Sequence, residues 1–152
     1  MLVIIEGCDG AGKSTLANSL AKIIGAEVIH CSSKTPNDEK FFKDIIEASK
    51  TKNIIADRFC YGQYVYQKEK DRPLGSLDNL HRLEVRLLEA GAKVILVEAP
   101  YTEIEERLKQ RDEKLINGLN AFTVVSRFTD LLCNISLLSE SVIRWNTGGE
   151  WK

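Results

Sequence analysis

The sequence has 152 residues, a length that suits one domain with a sizeable hydrophobic core, and we expect residues 1–152 to form a single domain. Its 21 basic and 22 acidic side chains give a net charge of -1 at pH 7, which argues against binding nucleic acid or anionic membranes through bulk charge. The four cysteines form no C-x-x-C pair, so we predict no zinc site or disulfide framework, and a reducing, cytoplasmic location. His30 and His81 have no partners at metal-binding spacing and are expected to be ordinary surface or strand-end residues.

The first predicted element is a strand that leads into a glycine-rich loop. Residues 2–5, Leu-Val-Ile-Ile, form a continuous apolar run typical of a strand covered on both faces, and the run is too short for a signal peptide or a membrane span. The stretch EGCDGAGKST follows at 6–15 and matches the pattern G-x-x-x-x-G-K-[ST] from Gly7 to Ser14. In that pattern the glycines let the backbone turn tightly, so that successive N–H groups point at phosphate oxygens.

A helix is predicted directly after this loop. Leu16, Leu20, Ile23 and Ile24 recur at helical spacing, and Gly25 is a stop signal. The loop therefore has the strand before it and the helix after it that the phosphate-binding pattern requires. A glycine turn that merely joins strand to helix is the competing interpretation, but it does not account for a lysine and a serine at the end of the pattern.

Short apolar runs alternate with helical patterns along the rest of the chain. Four of these runs predict further strands, at residues 28–29, 54–56, 94–97 and 142–145. Between them we predict a helix over about 37–50 with an N-cap candidate in Thr35-Pro36-Asn37-Asp38, a helix closed by Gly91, a helix capped by Thr102 and a long helical stretch over 124–138. This alternation predicts an α/β fold, a three-layer sandwich with a five-stranded, mostly parallel sheet between helices.

Ligands of open parallel sheets bind beyond the carboxyl ends of the strands, so the residues that follow each strand are candidates for the site. In the loop after the first strand, Lys13 is expected to reach the β- and γ-phosphates of a nucleotide and Ser14 to ligate Mg²⁺, whereas Thr15 is expected to pack or cap. The carboxylate of Asp9 either accepts a hydrogen bond from a sugar hydroxyl of an acceptor or stabilises the loop as an Asx turn. No role is assigned to Glu6.

Asp57 and Arg58 follow the apolar run at 54–56. A carboxylate there can hold a magnesium-bound water or accept the proton of an attacking hydroxyl, and a guanidinium can grip a phosphate. An ion pair at a strand end is the alternative, but sharing a sheet edge with the phosphate loop favours a functional role. The aromatic residues that come next are expected to be mostly core, with one or two reaching a ligand: Phe59, Tyr61, Tyr64 and Tyr66.

Arg107, Arg111 and Lys114 fall at i, i+4 and i+7 on one face of the segment 102–114. This row of cations can close over a γ-phosphoryl group and neutralise charge in the transition state. Alternatively the face is solvated, since Glu103 stands four residues before Arg107, in the favourable order for an exposed pair.

Three stretches together resemble the thymidylate kinase family of P-loop nucleoside monophosphate kinases, and they occur in the family's order: EGCDGAGKST at 6–15, DRFCYGQYVYQ at 57–67 and VILVEAPYTEIEERLKQRDEK at 94–114. The resemblance implies the P-loop NTPase fold and transfer of a phosphoryl group from ATP, with Mg²⁺, to a deoxynucleoside monophosphate, usually dTMP. For ATP it implies a binding set in the loop, the later helix and the last strand: Gly7, Gly10, Ala11, Gly12, Lys13, Ser14, Thr15, Arg107 and Asn146.

The resemblance also implies roles around the reacting phosphates. Asp9 is matched to the acceptor sugar and Arg58 to the acceptor phosphate, and the acceptor side is completed by Phe59, Tyr66 and Gln67. Mg²⁺ is expected at Ser14 and Asp57, and the expected catalytic set is Lys13, Asp57, Arg58 and Arg111. A lid segment is expected at about residues 107–120.

Several features depart from the family's pattern. The interval between Lys13 and Asp57 is shorter than usual and holds HCSSKTPNDEKFF in place of an Arg-Glu-Pro-Gly motif, Gly62 stands where serine is common, and no final covering helix is predicted. Base specificity is therefore left open, with Phe41 and Phe42 as candidate contacts. Such a reduced kinase resembles versions carried by bacteriophages.

Two other functions stand as alternatives. The first is a kinase whose acceptor is a hydroxyl of a nucleoside or of a hydroxylated base, including one within DNA, and Asp57 would then matter as the base. The second is a nucleotide-dependent switch, against which stands Glu98-Ala99-Pro100 where a guanine-reading Asn-Lys-x-Asp motif would follow the fourth strand. In each case the expected partners are small-molecule nucleotides. A monomer or a homodimer is expected, with the apolar stripe over 124–138 assigned to the core.

Overall fold

A computed structural model describes residues 1–32, 38–66, 77–115 and 118–147 of the chain. Within these ranges five strands form one sheet: β1 Leu2–Glu6, β2 Glu27–His30, β3 Ile54–Asp57, β4 Lys93–Glu98 and β5 Ile143–Asn146. Every neighbouring pair is parallel, and the strand order is β2-β3-β1-β4-β5. The predicted five-stranded parallel sheet is confirmed, with the glycine-rich loop leaving the carboxyl end of its central strand.

Helices cover both faces of this sheet. They are α1 Lys13–Ile24, α2 Glu39–Ala48, α3 Tyr61–Tyr66, α4 Leu77–Glu89, α5 Tyr101–Gln110 and α6 Ala121–Asp130, which continues as a π-helical turn over Leu131–Ile135. Right-handed crossovers in a sheet of this order place α1 on one face and the later helices on the other. The packing agrees, since α1 contacts β1, β2 and β3, while α2 packs on α4 and α6 packs on α3, α5 and β4. The three-layer α/β sandwich is therefore confirmed.

Two helix starts differ from the sequence prediction. The helix expected from about residue 37 begins at Glu39, because the carboxylate of Asp38 accepts a hydrogen bond from the Phe41 N–H at 2.8 Å and caps it. The rest of the candidate cap stretch, 35–37, lies outside the described residues. The prediction of Thr102 as a cap is wrong: α5 starts at Tyr101, directly after Pro100, whose ring fixes φ near -54°.

The core lies between the central strands and the helices, and it thins toward both edge strands, β2 and β5. All residues of β1 and β3 are buried, as their continuous apolar runs predict. The edge strand β5 differs, since Ile143 and Trp145 are each 48% exposed. Among the described residues, no helix combines the length and the apolar character needed to cross a membrane.

A buried carboxylate joins three elements far from the glycine-rich loop. Glu84 in α4 is fully buried and accepts hydrogen bonds from the Tyr61 hydroxyl at 2.8 Å, from the Ser136 hydroxyl and from the Leu137 N–H at 3.2 Å. Burial of a carboxylate is costly unless such donors satisfy it. The cluster therefore ties α3 and the segment after the π-helical turn to α4.

Tyr61→Phe is expected to lower the free energy of unfolding by about 1–3 kcal/mol, because it deletes one donor to a buried carboxylate and changes little else. Urea unfolding measures the loss. Tyr101→Phe is the matched control, since Tyr101 is 44% exposed, and it should stay within about 0.5 kcal/mol of the parent. Equal stability of the two variants would contradict the importance of the Glu84 cluster.

Candidate functional site

The glycine-rich loop joins β1 to α1 and needs glycine at both of its ends. Gly7 has φ 148°, and a Cβ placed there would collide with the Val97 carbonyl oxygen of β4. Gly12, the residue before α1, has φ 102°, in the region that side chains rarely adopt. The loop backbone therefore passes close to β4 at Gly7 and takes conformations that favour glycine, as a phosphate-binding loop requires.

Lys13 is held at the centre of this loop. Its side chain is only 5% exposed, its ammonium donates to the Cys8 carbonyl at 3.0 Å, and the Asp9 carboxylate lies 3.6 Å away. Burial lowers the pKa of Lys13, and the nearby carboxylates of Asp57 and Glu6 oppose that shift. Lys13 is thus a buried cation within the loop, close to the Cys8 carbonyl and the Asp9 carboxylate.

Ser14, Asp57 and His30 form a chain of contacts across three elements. The Ser14 hydroxyl donates to Asp57 Oδ2 at 2.7 Å, and His30 Nδ1 lies 2.9 Å from the same oxygen. Strand register explains the second contact, because His30 and Asp57 are paired residues at the ends of β2 and β3. The sequence placed Ser14 and Asp57 at the same sheet edge as magnesium ligands, but it did not predict their contact or the participation of His30.

Oxygen donors of this kind suit Mg²⁺, which prefers hard oxygen ligands and keeps several positions for water and phosphate. The described residues contain no group of three or more His, Cys, Asp or Glu side chains that could hold a metal by themselves. A magnesium ion beside Ser14 and Asp57 would therefore also need oxygens from a bound nucleotide or from water.

Arg58 adopts an unusual backbone conformation that directs it across the site. Its φ is 72°, which a non-glycine residue rarely adopts, and its N–H donates to the Ile5 carbonyl at 2.9 Å. The guanidinium contacts the Asp9 carboxylate, and the Asp9 N–H donates to the Tyr66 hydroxyl at 2.7 Å. The carboxylate of Asp9 thus faces two cations, Arg58 and Lys13.

Two aromatic residues expected on the acceptor side have buried rings. Phe59 is 3% exposed and packs on Phe42, with ring centroids 4.6 Å apart. Tyr66 is 6% exposed and packs edge-on against Phe128, with only its hydroxyl reaching the loop. Direct contact of these two side chains with an acceptor stays a prediction, and Gln67 lies outside the described residues.

Two cavities flank the loop. One, of about 300 Å³, lies beyond the ends of β2 and β3 and is lined by the polar side chains of Asp9, Lys13, Ser14, His30, Asp57 and Arg58. The other, of about 470 Å³, lies toward β5 and is lined by Leu16, Ser19, Arg107, Trp145 and Thr147. Gly10, Gly12, Thr15 and Arg111 line both. The cavities therefore meet at the loop. Thr15 is exposed there, which differs from the prediction that it packs or caps.

Arg107 links the loop to the end of β5. Its guanidinium donates to the Gly10 carbonyl at 3.0 Å and to the Thr147 carbonyl at 3.2 Å, and it lies 3.4 Å from Glu103. The Thr147 hydroxyl in turn donates to the Ala11 carbonyl. The expected pair with Glu103 is present, and the role of Arg107 over a γ-phosphoryl group stays a prediction.

The ends of β5 and α5 bear on two predictions. Trp145 and Thr147 line the larger cavity, and contact of Asn146 with ATP stays a prediction. The expected row of three cations is wrong for Lys114, because α5 ends at Gln110 and Asp112 takes φ 53°. The lid expected over 107–120 stays a prediction, with 116–117 outside the described residues.

Comparisons with known proteins place this geometry in context. No protein-family model matches the chain. The SPbeta prophage-derived uncharacterized protein YorR of Bacillus subtilis is 31% identical over 154 residues, which cover 99% of this chain and 90% of that protein. A probable thymidylate kinase of Thermococcus gammatolerans is 27% identical, over 75% of this chain and 73% of its own length.

Solved structures show the same fold. The crystal structure of YorR in complex with phosphorylated GDP superposes with a TM-score of 0.76 at 30% identity, covering 100% of this chain and 88% of that one. Deoxyadenosine kinase from M. mycoides with bound dATP gives a TM-score of 0.60 at 19% identity, covering 96% and 91%. At that identity the second likeness concerns the fold, which is that of P-loop kinases.

Proposed function

This chain belongs to the same family as YorR, a family with the fold of P-loop nucleoside monophosphate kinases, and from that premise we propose that it transfers the γ-phosphoryl group of ATP to a deoxynucleoside monophosphate. The observation that carries the proposal is the meeting of two cavities at one phosphate-type loop. The larger cavity can take the base and sugar of a donor nucleotide, and the polar cavity can take an acceptor phosphate.

The donor triphosphate would lie along the loop, with its β- and γ-phosphates at Lys13 and its magnesium beside Ser14 and Asp57. A bound Mg²⁺ would neutralise part of the negative charge of the phosphates. Arg111, which lines both cavities, supports the same task at the point of transfer. Little covalent chemistry is needed from the protein, because alignment and charge neutralisation account for most of the catalysis.

On the acceptor side, Arg58 is the residue suited to grip a phosphate. Its guanidinium is half-buried at the polar cavity and is paired only with a carboxylate of the loop among the contacts described for that group. A bidentate phosphate matches the planar fork of arginine. Asp9 then faces the acceptor and can accept a hydrogen bond from a sugar hydroxyl, the role that the resemblance to thymidylate kinases implies.

We propose dTMP as the first acceptor to test. The support is the resemblance of the loop, of the Asp57-Arg58 stretch and of α5 to thymidylate kinases, together with the 27% identity to a probable thymidylate kinase. The fold is also shared with a deoxyadenosine kinase, and the YorR structure holds phosphorylated GDP. Purine monophosphates and nucleosides therefore belong in the same test.

One observation favours a second candidate, a kinase that phosphorylates a hydroxyl. His30 Nδ1 lies 2.9 Å from Asp57 Oδ2 at the edge of the polar cavity, so the carboxylate can orient the imidazole. An alcohol must lose a proton when it attacks phosphorus, and an imidazole held in this way can accept it. A phosphate acceptor has no such need.

An ATP-consumption screen of the wild-type protein with Mg²⁺ tests the proposal. The acceptors are all four deoxynucleoside monophosphates, the matching deoxynucleosides, and single-stranded DNA with and without hydroxylated bases. Turnover with a monophosphate, dTMP first, is the expected result. If the protein transfers phosphate to none of them and binds GTP more tightly than ATP, a nucleotide-dependent switch replaces the kinase.

Two substitutions separate the phosphate and hydroxyl acceptors. With a monophosphate, Arg58→Ala is expected to lower kcat/KM by about 10²–10³-fold, because it removes the cation that holds the acceptor, while KM for ATP changes little. His30→Gln should then cost less than about tenfold. Steady-state kinetics give both values. The opposite order, with His30→Gln losing about 10²–10⁴-fold, would indicate a hydroxyl acceptor and a histidine base.

A further inference from the structure

Glu6, the last residue of β1, is a fully buried carboxylate with an incomplete set of hydrogen bonds. Its Oε1 accepts from the Phe59 N–H at 2.7 Å and from the Gly62 N–H at 3.3 Å. Its Oε2 is buried and has no hydrogen-bond partner among the described residues. A buried carboxylate with one unsatisfied oxygen destabilises a fold, so its presence calls for a reason other than stability.

The end of β1 holds the turn that follows β3. The Ile5 carbonyl accepts the Arg58 N–H at 2.9 Å, and the next residue's carboxylate accepts the Phe59 N–H. Between these two anchors Arg58 takes φ 72°, a conformation that costs a non-glycine residue free energy and persists only where the surroundings enforce it. The consequence of that conformation is visible at the guanidinium, which reaches Asp9 across the polar cavity.

We propose that Glu6 is a positioning residue: its carboxylate fixes the turn after β3 and so directs Arg58 into the acceptor side of the site. The inference rests on the proposed role of Arg58 in holding an acceptor phosphate. Glu6 also lies close enough to Lys13 and Arg58 for its charge to interact with both.

Gly62 is a position from which a side chain could reach the unsatisfied Oε2 of Glu6. A Cβ added to Gly62 would lie 3.8 Å from Glu6 Oε2 and 3.9 Å from Tyr66 Cδ2, which are ordinary contact distances. Gly62 lies in α3 and is not among the glycines with positive φ, so a side chain is compatible with its backbone. A serine there would bring a hydroxyl donor within reach of the unsatisfied oxygen, whereas an alanine would fill the same space without a donor.

Backbone amide exchange in the wild-type protein and in Glu6→Ala tests the anchoring directly and needs no substrate. Loss of a hydrogen bond to a charged acceptor should speed exchange of the Phe59 and Gly62 amides by about tenfold or more. Glu6→Gln keeps a carbonyl oxygen and should restore most of the Phe59 protection. Asn120→Ala, which removes the N-cap of α6, controls for general destabilisation and should leave these two amides unaffected relative to the rest of the sheet. Unchanged exchange in Glu6→Ala would overturn the proposal.

Kinetics with the acceptor found in the screen give a second readout. Positioning of Arg58 predicts that Glu6→Gln raises the acceptor KM severalfold while KM for ATP is unchanged, and that it adds little in an Arg58→Ala background. Equal effects on the two substrates would overturn the proposal. If no acceptor is phosphorylated, the proposed function fails, and the amide exchange still decides whether Glu6 anchors the turn.

Two substitutions at Gly62, Gly62→Ser and Gly62→Ala, test the same carboxylate while Glu6 stays in place. They therefore give an answer even if the Glu6 variants fail to fold. The serine variant is expected to melt about 2–4 °C above the alanine variant, because its hydroxyl satisfies Oε2. Helix propensity predicts the reverse order, since alanine is the better helix former, so this result cannot come from propensity. If Gly62→Ala melts at a higher temperature than Gly62→Ser, the serine hydroxyl does not satisfy Oε2 and the assignment of an unsatisfied oxygen beside position 62 is wrong.

Discussion

Replacing Lys13 with methionine is expected to lower kcat for phosphoryl transfer by about 10²–10³-fold. The ammonium lies within the loop, where it donates to the Cys8 carbonyl beside the backbone that would cradle the β- and γ-phosphates. Methionine keeps the length and the apolar stem of lysine but supplies no charge or donor. Because burial lowers the pKa of Lys13, the charged form is costly in the fold, and the variant should be at least as stable as the parent.

A second lysine in the same helix provides the control. Lys22 lies in the last turn of α1 and is exposed, so Lys22→Met should keep kcat and KM within about twofold of the parent. Steady-state ATP consumption and thermal melting of both variants give the comparison. If Lys13→Met retains the rate of the parent, the loop does not bind the reacting phosphates as proposed, whatever the stability of the variant.

Local patterns made the fold and the loop predictable. The apolar run of β1 is fully buried, and α1 begins at Lys13, so strand, loop and helix follow directly from the sequence. The proximity of Ser14 and Asp57 was also predictable in outline, because parallel strands bring their carboxyl ends to one edge of the sheet. These predictions depend on periodicity and glycine positions, which act over a few residues.

The remaining features depend on register and on where elements end. His30 reaches Asp57 because β2 and β3 pair in one particular register, which no single segment of the sequence encodes. The lining of the larger cavity by Trp145 and Thr147 also depends on the register of β5, since a shift of one residue along a strand exchanges its two faces. Lys114 leaves the expected row of cations because the turn at Asp112 ends the helix.

The role of Glu6 was also hidden, since a carboxylate at the end of a buried strand carries no pattern of its own. Its partners, the N–H groups of Phe59 and Gly62, lie more than fifty positions away along the chain. The left-handed conformation of Arg58, held between two hydrogen bonds to the end of β1, is what points to this role. A residue that holds a backbone segment far away in the sequence can therefore be recognised only from the three-dimensional structure.

Buried Glu6 gives the protein a characteristic dependence of stability on pH. Burial raises the pKa of Glu6 from its ordinary 4.5 to about 7, against the opposing effects of the Phe59 N–H and of Lys13 and Arg58. Between these two values the folded protein keeps a proton that the unfolded chain has released. The group therefore stabilises the fold below pH 4.5, and that contribution is lost as pH rises through about 7.

Glu6→Gln should remove this dependence. From pH 5 to pH 8, the wild type is expected to lose about 2–3 kcal/mol of unfolding free energy relative to the variant, as measured by urea unfolding at both values. Groups common to both proteins cancel in the difference, apart from Lys13, whose charge interacts with Glu6. A difference that stays constant with pH would show that Glu6 titrates near its ordinary value. Above pH 7 the ionised carboxylate is the stronger acceptor for the Phe59 and Gly62 N–H groups, so the form that destabilises the fold is the form that best holds Arg58 in place.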